Sequence, residues 1–369
     1  MTSMENTTAE HGSSYAFAVR DMTAEHHIRV VSPREYRLFE GKRKIVIFPG
    51  GKTNSLEIGN GMCKLTEREF FPELYIDEKA ENLSSKQKLQ LKKVQHRAQK
   101  LRDDFEICVL VYHNRNFVLQ AYEFFDDCIV PAVAKVDANK DLHRLDFEEA
   151  VANMRHFAIN THCYGGFIIK AIDRDLKELL PKIGYAPEES AAIARQCVVF
   201  DHSNIDEALG NTEPCMSYIR RLTLQDNVLD YTACRPGTYQ RFIKGEKYPF
   251  ERPSFDILSG HEGVLLTPTL CKNSSEAHNG YWNSADTLTE TGREERMVFE
   301  GLAKEVISNK DRITDLKDLV ASAADKKGPG MQIITESIEN GKQHMQSFEH
   351  YRHQVELVTQ MSVTTRHFR

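Results

Sequence analysis

Phe157-Ala158-Ile159-Asn160-Thr161-His162-Cys163-Tyr164-Gly165-Gly166-Phe167-Ile168-Ile169 is the stretch on which the fold of this chain turns. Its first half is a short apolar run, as in a buried strand. From Gly165 to Leu180 the apolar residues fall at helical spacing: Ile168, Ile169, Ile172, Leu176, Leu179 and Leu180. Between strand and helix there is chain enough only for a tight turn, and Cys163 stands on it. A side chain at such a corner projects away from the sheet. The free N–H groups of the neighbouring backbone point toward the same spot. Those conditions suit a nucleophile, and Cys163 is the candidate. The competing reading is a buried structural cysteine.

Thr161-His162-Cys163-Tyr164-Gly165-Gly166 resembles the nucleophile elbow of the α/β-hydrolase superfamily, usually Gly-x-Ser-x-Gly-Gly. Cys replaces Ser here, as in the dienelactone hydrolases and polyhydroxyalkanoate synthases of that superfamily. One position departs from the pattern: Thr161 stands where the first Gly is usual, and a β-branched side chain must fit into a close strand–helix approach. Strands alternating with helices from residue 44 to 200 argue for a doubly wound, mostly parallel sheet. The resemblance makes it α/β-hydrolase-like with insertions, and apolar residues at helical spacing after Arg293 add a helical C-terminal region. The resemblance also implies the order nucleophile, acid, histidine along the chain. On that order the acid is Asp226, with Asp230 and Asp201 as alternatives, and the base is His278, with His261 as its rival. The N–H of Tyr164 and that of Gly51 would form the oxyanion hole, with Lys52 as the alternative to Gly51. For each Asp a turn or helix cap is the plainer role, and for His278 an ordinary surface position.

Composition bounds the reading. A chain of 369 residues, with 40% hydrophobic and 28% charged residues, can bury a substantial core. Its formal charge of −6 gives no reason to expect a nucleic-acid partner. No apolar run is long enough to span a bilayer, and residues 1–25 lack the apolar centre of a secretory signal. The eight cysteines form no Cys-x-x-Cys pair, so free thiols in a reducing, cytoplasmic setting are expected. Leaderless export into another cell's cytosol would leave the same signature. No metal-ligand spacing and no nucleotide-binding glycine motif occurs, and no cofactor is expected.

Taken in order, residues 1–25 are expected to be a mobile polar lead-in. Ile28–Val31, Tyr36–Phe39 and Lys44–Phe48 follow as strands, the last ending at Pro49-Gly50-Gly51. An insertion spans residues 52–103. It holds a Gly/Asn-rich loop at Asn54–Gly61 and a basic helix from Ser84 to Arg102, whose cations suit phosphate or an anionic membrane surface, or simply a solvated face. Phe105–Tyr112 is a strand ending at His113. Phe117–Val136 is a helix interrupted at Pro131, Asp137–His143 a polar loop and Asp146–Arg155 a helix. After the elbow come a turn at Ile183–Pro187, a helix at Glu188–Arg195 and a strand at Gln196–Phe200. A strand beginning at Tyr218 and a closing strand at Gly263–Pro268 flank an excursion over residues 231–260. Residues 26–290 form the expected catalytic domain, and residues 291–369 a helical extension that packs on the core or takes a protein partner.

If Cys163 is a nucleophile, the expected activity is hydrolysis or acyl transfer on an ester or thioester through an acyl-Cys intermediate. A Cys protease or deamidase using the same Cys163–His278 pair is one alternative. A non-catalytic interaction protein on a hydrolase-like fold is the other.

Overall fold

The computed structural model describes residues 15–20, 28–33, 36–49, 56–76, 83–112, 117–162, 165–202, 214–223, 264–269, 303–304 and 307–308. Its centre is an eight-stranded sheet of β1 (Tyr15–Arg20), β2 (Ile28–Val31), β3 (Arg43–Phe48), β4 (Phe105–Tyr112), β7 (Phe157–His162), β8 (Val198–His202), β9 (Ser217–Thr223) and β10 (Val264–Thr269). Their order across the sheet is β10-β9-β8-β7-β3-β4-β1-β2. The six strands from β10 to β4 are parallel, while β1 runs antiparallel to both β4 and β2. A short hairpin, β5 (Ala134–Val136) with β6 (Leu142–Arg144), stands apart.

Parallel strands need crossovers, and helices supply them on both faces. One face carries α3 (Phe117–Phe124), α4 (Val130–Val133), α5 (Phe147–Arg155), α6 (Gly165–Lys182) and α7 (Pro187–Arg195). There Val46, Phe48, Leu110, Ile159 and Val199 meet Ile168, Ile169, Ile172 and Leu176 of α6. The opposite face carries α1 (Leu56–Phe70) and α2 (Ser85–Asp103). There Ile45, Ile47, Val109, Ala158 and Phe200 meet Met62, Cys63 and Phe70, together with Ala303 and Ile307. Burial on both faces explains why these strands are continuous apolar runs instead of alternating ones. The chain is therefore an α/β protein built on a mostly parallel sheet. Among the described residues no helix is long and apolar enough to cross a membrane.

Four local expectations change. Tyr15–Arg20, inside the expected polar lead-in of residues 1–25, is instead a strand lying between β2 and β4. Tyr15, Phe17 and Val19 fill one face of the sheet while Ala16 and Ala18 fit under the other. Tyr36–Phe39 forms a turn and not a strand. Its apolar residues serve as plugs: Leu38 is buried, and the Tyr36 hydroxyl donates to Glu106 at 2.6 Å.

The Gly/Asn-rich stretch Asn54–Gly61 is helical from Leu56 onward, because packing of Met62, Cys63 and Phe70 outweighs weak local propensity. The helix expected over Phe117–Val136 widens into a π-helical turn at Phe125–Ile129, just ahead of Pro131, which lacks the N–H an α-ladder needs. It ends at Val133, and Ala134–Val136 enters the β5–β6 hairpin. Asp137 closes that hairpin by accepting the N–H groups of Asn139 and Asp141, each at 2.9 Å.

A buried carboxylate ties four elements together. Glu67 of α1 accepts from Arg102 Nε of α2 at 2.7 Å, from Arg20 of β1 and from the Tyr75 hydroxyl of the short 3-10 helix Pro72–Tyr75. Arg102 is wholly buried and also donates to the Phe105 carbonyl at 2.7 Å. Burial alone would raise the Glu67 pKa, but Tyr75, Arg102 and Arg20 together outweigh it and hold the carboxyl below its ordinary value. A carboxyl depressed in this way stabilises the fold fully above its unfolded value of about 4.3. That contribution is lost as pH falls toward the lower folded value. Glu67→Gln should cost about 3 kcal/mol at neutral pH, since it strands the Arg102 charge. Denaturant titrations should also show a shallower loss of stability below about pH 4.3 in the variant than in the parent.

Candidate active site at the carboxyl ends of the central strands

The parallel strands β3, β4, β7 and β8 end at Phe48, Tyr112, His162 and His202, so their carboxyl ends share one edge of the sheet. From β3 the chain passes over the α1–α2 face to β4 on one side. From β7 it passes over the α6–α7 face to β8 on the other. The connections diverge between β3 and β7, and in open α/β sheets such a switch point opens the crevice where ligands bind.

The start of α6 closes tightly onto that point. A Cβ on Gly165 would lie 2.3 Å from the Phe48 carbonyl oxygen and 2.6 Å from Thr161 Oγ1, far inside contact distance. Glycine is therefore required at residue 165 by space alone. The same contact shows how Thr161, the departure from the elbow pattern, is accommodated. Its side chain takes room that the missing Cβ of Gly165 leaves. The 18-residue helix α6 brings its N-terminus, whose first N–H groups have no partner within the helix, and the positive end of its dipole to this edge.

Beneath the edge, on the α1 face, lies a second feature. Asn160 Nδ2 donates to Glu69 Oε2 and to Thr66 Oγ1, both at 3.3 Å, and His202 Nε2 stands 3.4 Å from Glu69 Oε1. All four residues are buried. His162 is the register partner of His202 and by strand alternation faces the same side. Thr161 and its partner Asp201 face the other side, toward α6. Polar residues have thus replaced apolar ones on both faces over the last few positions of β7 and β8. Burying them carries a desolvation cost that a purely structural core avoids. The Glu69–His202 contact is an ion pair only when His202 carries its second proton. Among the described residues, no three or more His, Cys, Asp or Glu are grouped as metal ligands.

Five cysteines are described, all free: Cys63, Cys108, Cys128 and Cys197 are buried and Cys215 partly so. Burial, as the largest cause, pushes the Cys63, Cys108 and Cys128 thiols up to about 12 and Cys215 well above its ordinary value. At neutral pH these four are thiols, not thiolates, and so poor nucleophiles.

Of the residues singled out in the sequence, Asp201 is the penultimate residue of β8 and is 2% exposed. Cys163, Tyr164, Gly51, Lys52, His113, Asp226, Asp230, His261 and His278 lie outside the described residues. Residues 163 and 164 are the two that separate the last residue of β7 from the first of α6. The Thr66–Glu69–Asn160–His202 cluster was not anticipated. Its trace in the sequence is the polar pair Asn160 and His162, two residues apart at the end of an apolar strand, and the Asp201-His202 ending of the next one. Compared with known proteins, the chain matches no family model, and no curated protein is similar to it.

Two glycine substitutions separate the crowded corner from ordinary helix. Gly165→Ala should destabilise the fold by about 3 kcal/mol, because the new methyl meets a backbone carbonyl that has little freedom to move. Gly61→Ala in α1, where nothing lies within 4 Å, should instead gain up to about 1 kcal/mol from helix propensity. Equilibrium unfolding of the two variants beside the parent measures both.

Proposed function

We propose that the chain is an α/β-hydrolase-like enzyme that uses Cys163 to hydrolyse or transfer the acyl group of an ester or thioester. The observation that carries this reading is the contact of Gly165 with the Phe48 carbonyl at the switch point between β3 and β7. A strand-to-helix corner needs to be that tight to display a nucleophile at the sheet edge, and the only residues between β7 and α6 are Cys163 and Tyr164. The N-terminus of α6 favours the thiolate over the thiol at that place in the chain. The raised values of Cys63, Cys108, Cys128 and Cys215 leave those thiols poor competitors for the chemistry.

In the proposed reaction the Cys163 sulfur attacks the carbonyl carbon, a C–S bond forms and the carbonyl electrons move onto oxygen. The N–H groups of Tyr164 and Gly51 are the proposed donors to that oxyanion, each worth about 3 kcal/mol of barrier. Collapse breaks the bond to the leaving alkoxide or thiolate, which takes a proton from His278 and departs, leaving an acyl thioester. Water, or an acceptor alcohol, amine or thiol, then gives a proton to His278 as it attacks. The carboxylic acid or transfer product leaves, and the Cys163 thiolate is restored. Asp226 would hold the imidazole tautomer. Asp201, buried within β8 on the α6 side, is the alternative for that task.

Cys163→Ala tests this directly. Activated ester and thioester panels should be turned over by the parent and not by the variant, while both unfold at the same denaturant concentration. Mass spectrometry of the parent, quenched during turnover, should find the acyl group on the peptide that contains Cys163. Equal turnover by the two proteins would end the enzyme reading. Turnover confined to peptide or glutamine substrates would move it to a protease or deamidase.

A further inference from the structure

The helix α2 is fixed at its start by a reciprocal cap. Ser84 N donates to Gln87 Oε1 at 2.9 Å, and Ser84 Oγ accepts from Gln87 N at 3.4 Å. Its 19 residues extend about 28 Å. From Ser85 to Arg102 it carries seven cations and no carboxylate, in a chain whose net charge is −6. One cation, Arg102, turns inward to Glu67. The other six, Lys86, Lys88, Lys92, Lys93, Arg97 and Lys100, are all exposed. At 100° per residue Lys86, Lys92, Lys93, Arg97 and Lys100 fan over the half of the helix opposite Ala98 and Arg102, the two residues it buries, while Lys88 lies nearer Arg102. Among the described residues, no ion pair takes Lys86, Lys88, Lys93, Arg97 or Lys100.

An apolar residue sits in the middle of this field. Leu89 is 59% exposed and by helical spacing lies at the centre of the outward face, between Lys86, Lys92, Lys93 and Lys100. Two more apolar side chains lie beside the helix: Tyr75 at 42% and Ile76 at 36% exposure, with Gln95 Nε2 of α2 donating to the Ile76 carbonyl at 3.0 Å. Cations that surround an apolar centre suit a partner with an array of negative charges above an apolar layer. No aromatic residue is interleaved among the α2 cations, as base stacking on a nucleic acid would need.

We propose that the outward face of α2 docks the protein on an anionic phospholipid surface, with Lys86, Lys93, Arg97 and Lys100 among the headgroup phosphates and Leu89 at the acyl boundary. Because the rest of the chain is net acidic, it is repelled by the same surface, so the docking is oriented. No helix need insert.

The test is co-sedimentation of the full chain with vesicles of phosphatidylcholine, with and without phosphatidylserine. Binding should require phosphatidylserine and weaken as salt is raised. Each cation contributes about fivefold in affinity, so a Lys86→Gln, Lys93→Gln double variant should bind about 25-fold more weakly. Leu89→Gln should weaken binding severalfold without any change of charge, and Lys182→Gln, on α6, should leave it unaltered. These side chains are exposed, so all variants should melt as the parent does. Equal binding to both vesicle types, or unaltered binding by the double variant, overturns the proposal. So does lysine-dependent binding to single-stranded polynucleotide in the absence of vesicle binding.

Discussion

A missing side chain governs the centre of this molecule. At Gly165 the first turn of α6 lies against the Phe48 carbonyl so closely that any Cβ would sit 2.3 Å from the oxygen. That contact sets how far α6 can slide along the sheet, since its apolar residues Ile168, Ile169, Ile172 and Leu176 are fixed in the core by the same placement. It also holds the N-terminus of α6 at the edge where β3 and β7 send their connections to opposite faces. The placement of the helix dipole at this edge therefore follows from one steric constraint. Packing at native density passes such a constraint to its neighbours instead of absorbing it.

Two buried carboxylates on one helix divide the remaining work. Glu67 and Glu69 are both on α1 and both nearly inaccessible, yet their partners differ in kind. Glu67 meets fixed positive charge from Arg102 and Arg20 and binds α1 to β1 and α2. Glu69 meets the amide of Asn160 and the imidazole of His202, neither of which is a fixed charge. The first arrangement secures the helix against the sheet, and the second lies directly below the carboxyl ends of β7 and β8.

The parts of the fold that were legible in the sequence are those with a long or unmixed signal. β4 is apolar almost throughout, β3 and β7 carry apolar runs at Ile45–Phe48 and Phe157–Ile159, and α6 repeats its apolar residues over several turns. The basic helix announces itself by a Ser-x-x-Gln cap at Ser84. β1 was hidden because six residues with small alanines on one face resemble their polar surroundings until β2 and β4 flank them. α1 was hidden by Gly59, Asn60 and Gly61, which signal a loop unless tertiary packing is known. The Glu69–Asn160–His202 cluster joins residues far apart in the chain, so no local pattern could reveal it. β7 and α6 were legible together because only two residues separate them in the chain. The acid and base rested on resemblance to a family, not on any contiguous signal.

The proposed chemistry depends on the state of the thiol that precedes α6 in the chain. The measurement that bears on it most directly is the rate of iodoacetamide alkylation at each cysteine of the folded protein, followed by peptide mass spectrometry from about pH 5 to pH 9. A helix N-terminus favours the thiolate, so Cys163 should react fastest, with a midpoint below the ordinary thiol value of about 8.5. Cys63, Cys108 and Cys128, raised to about 12 by burial, should stay unlabelled until the protein is unfolded. A Cys163 that titrates at or above the ordinary value, or that reacts no faster than those three, would contradict the account.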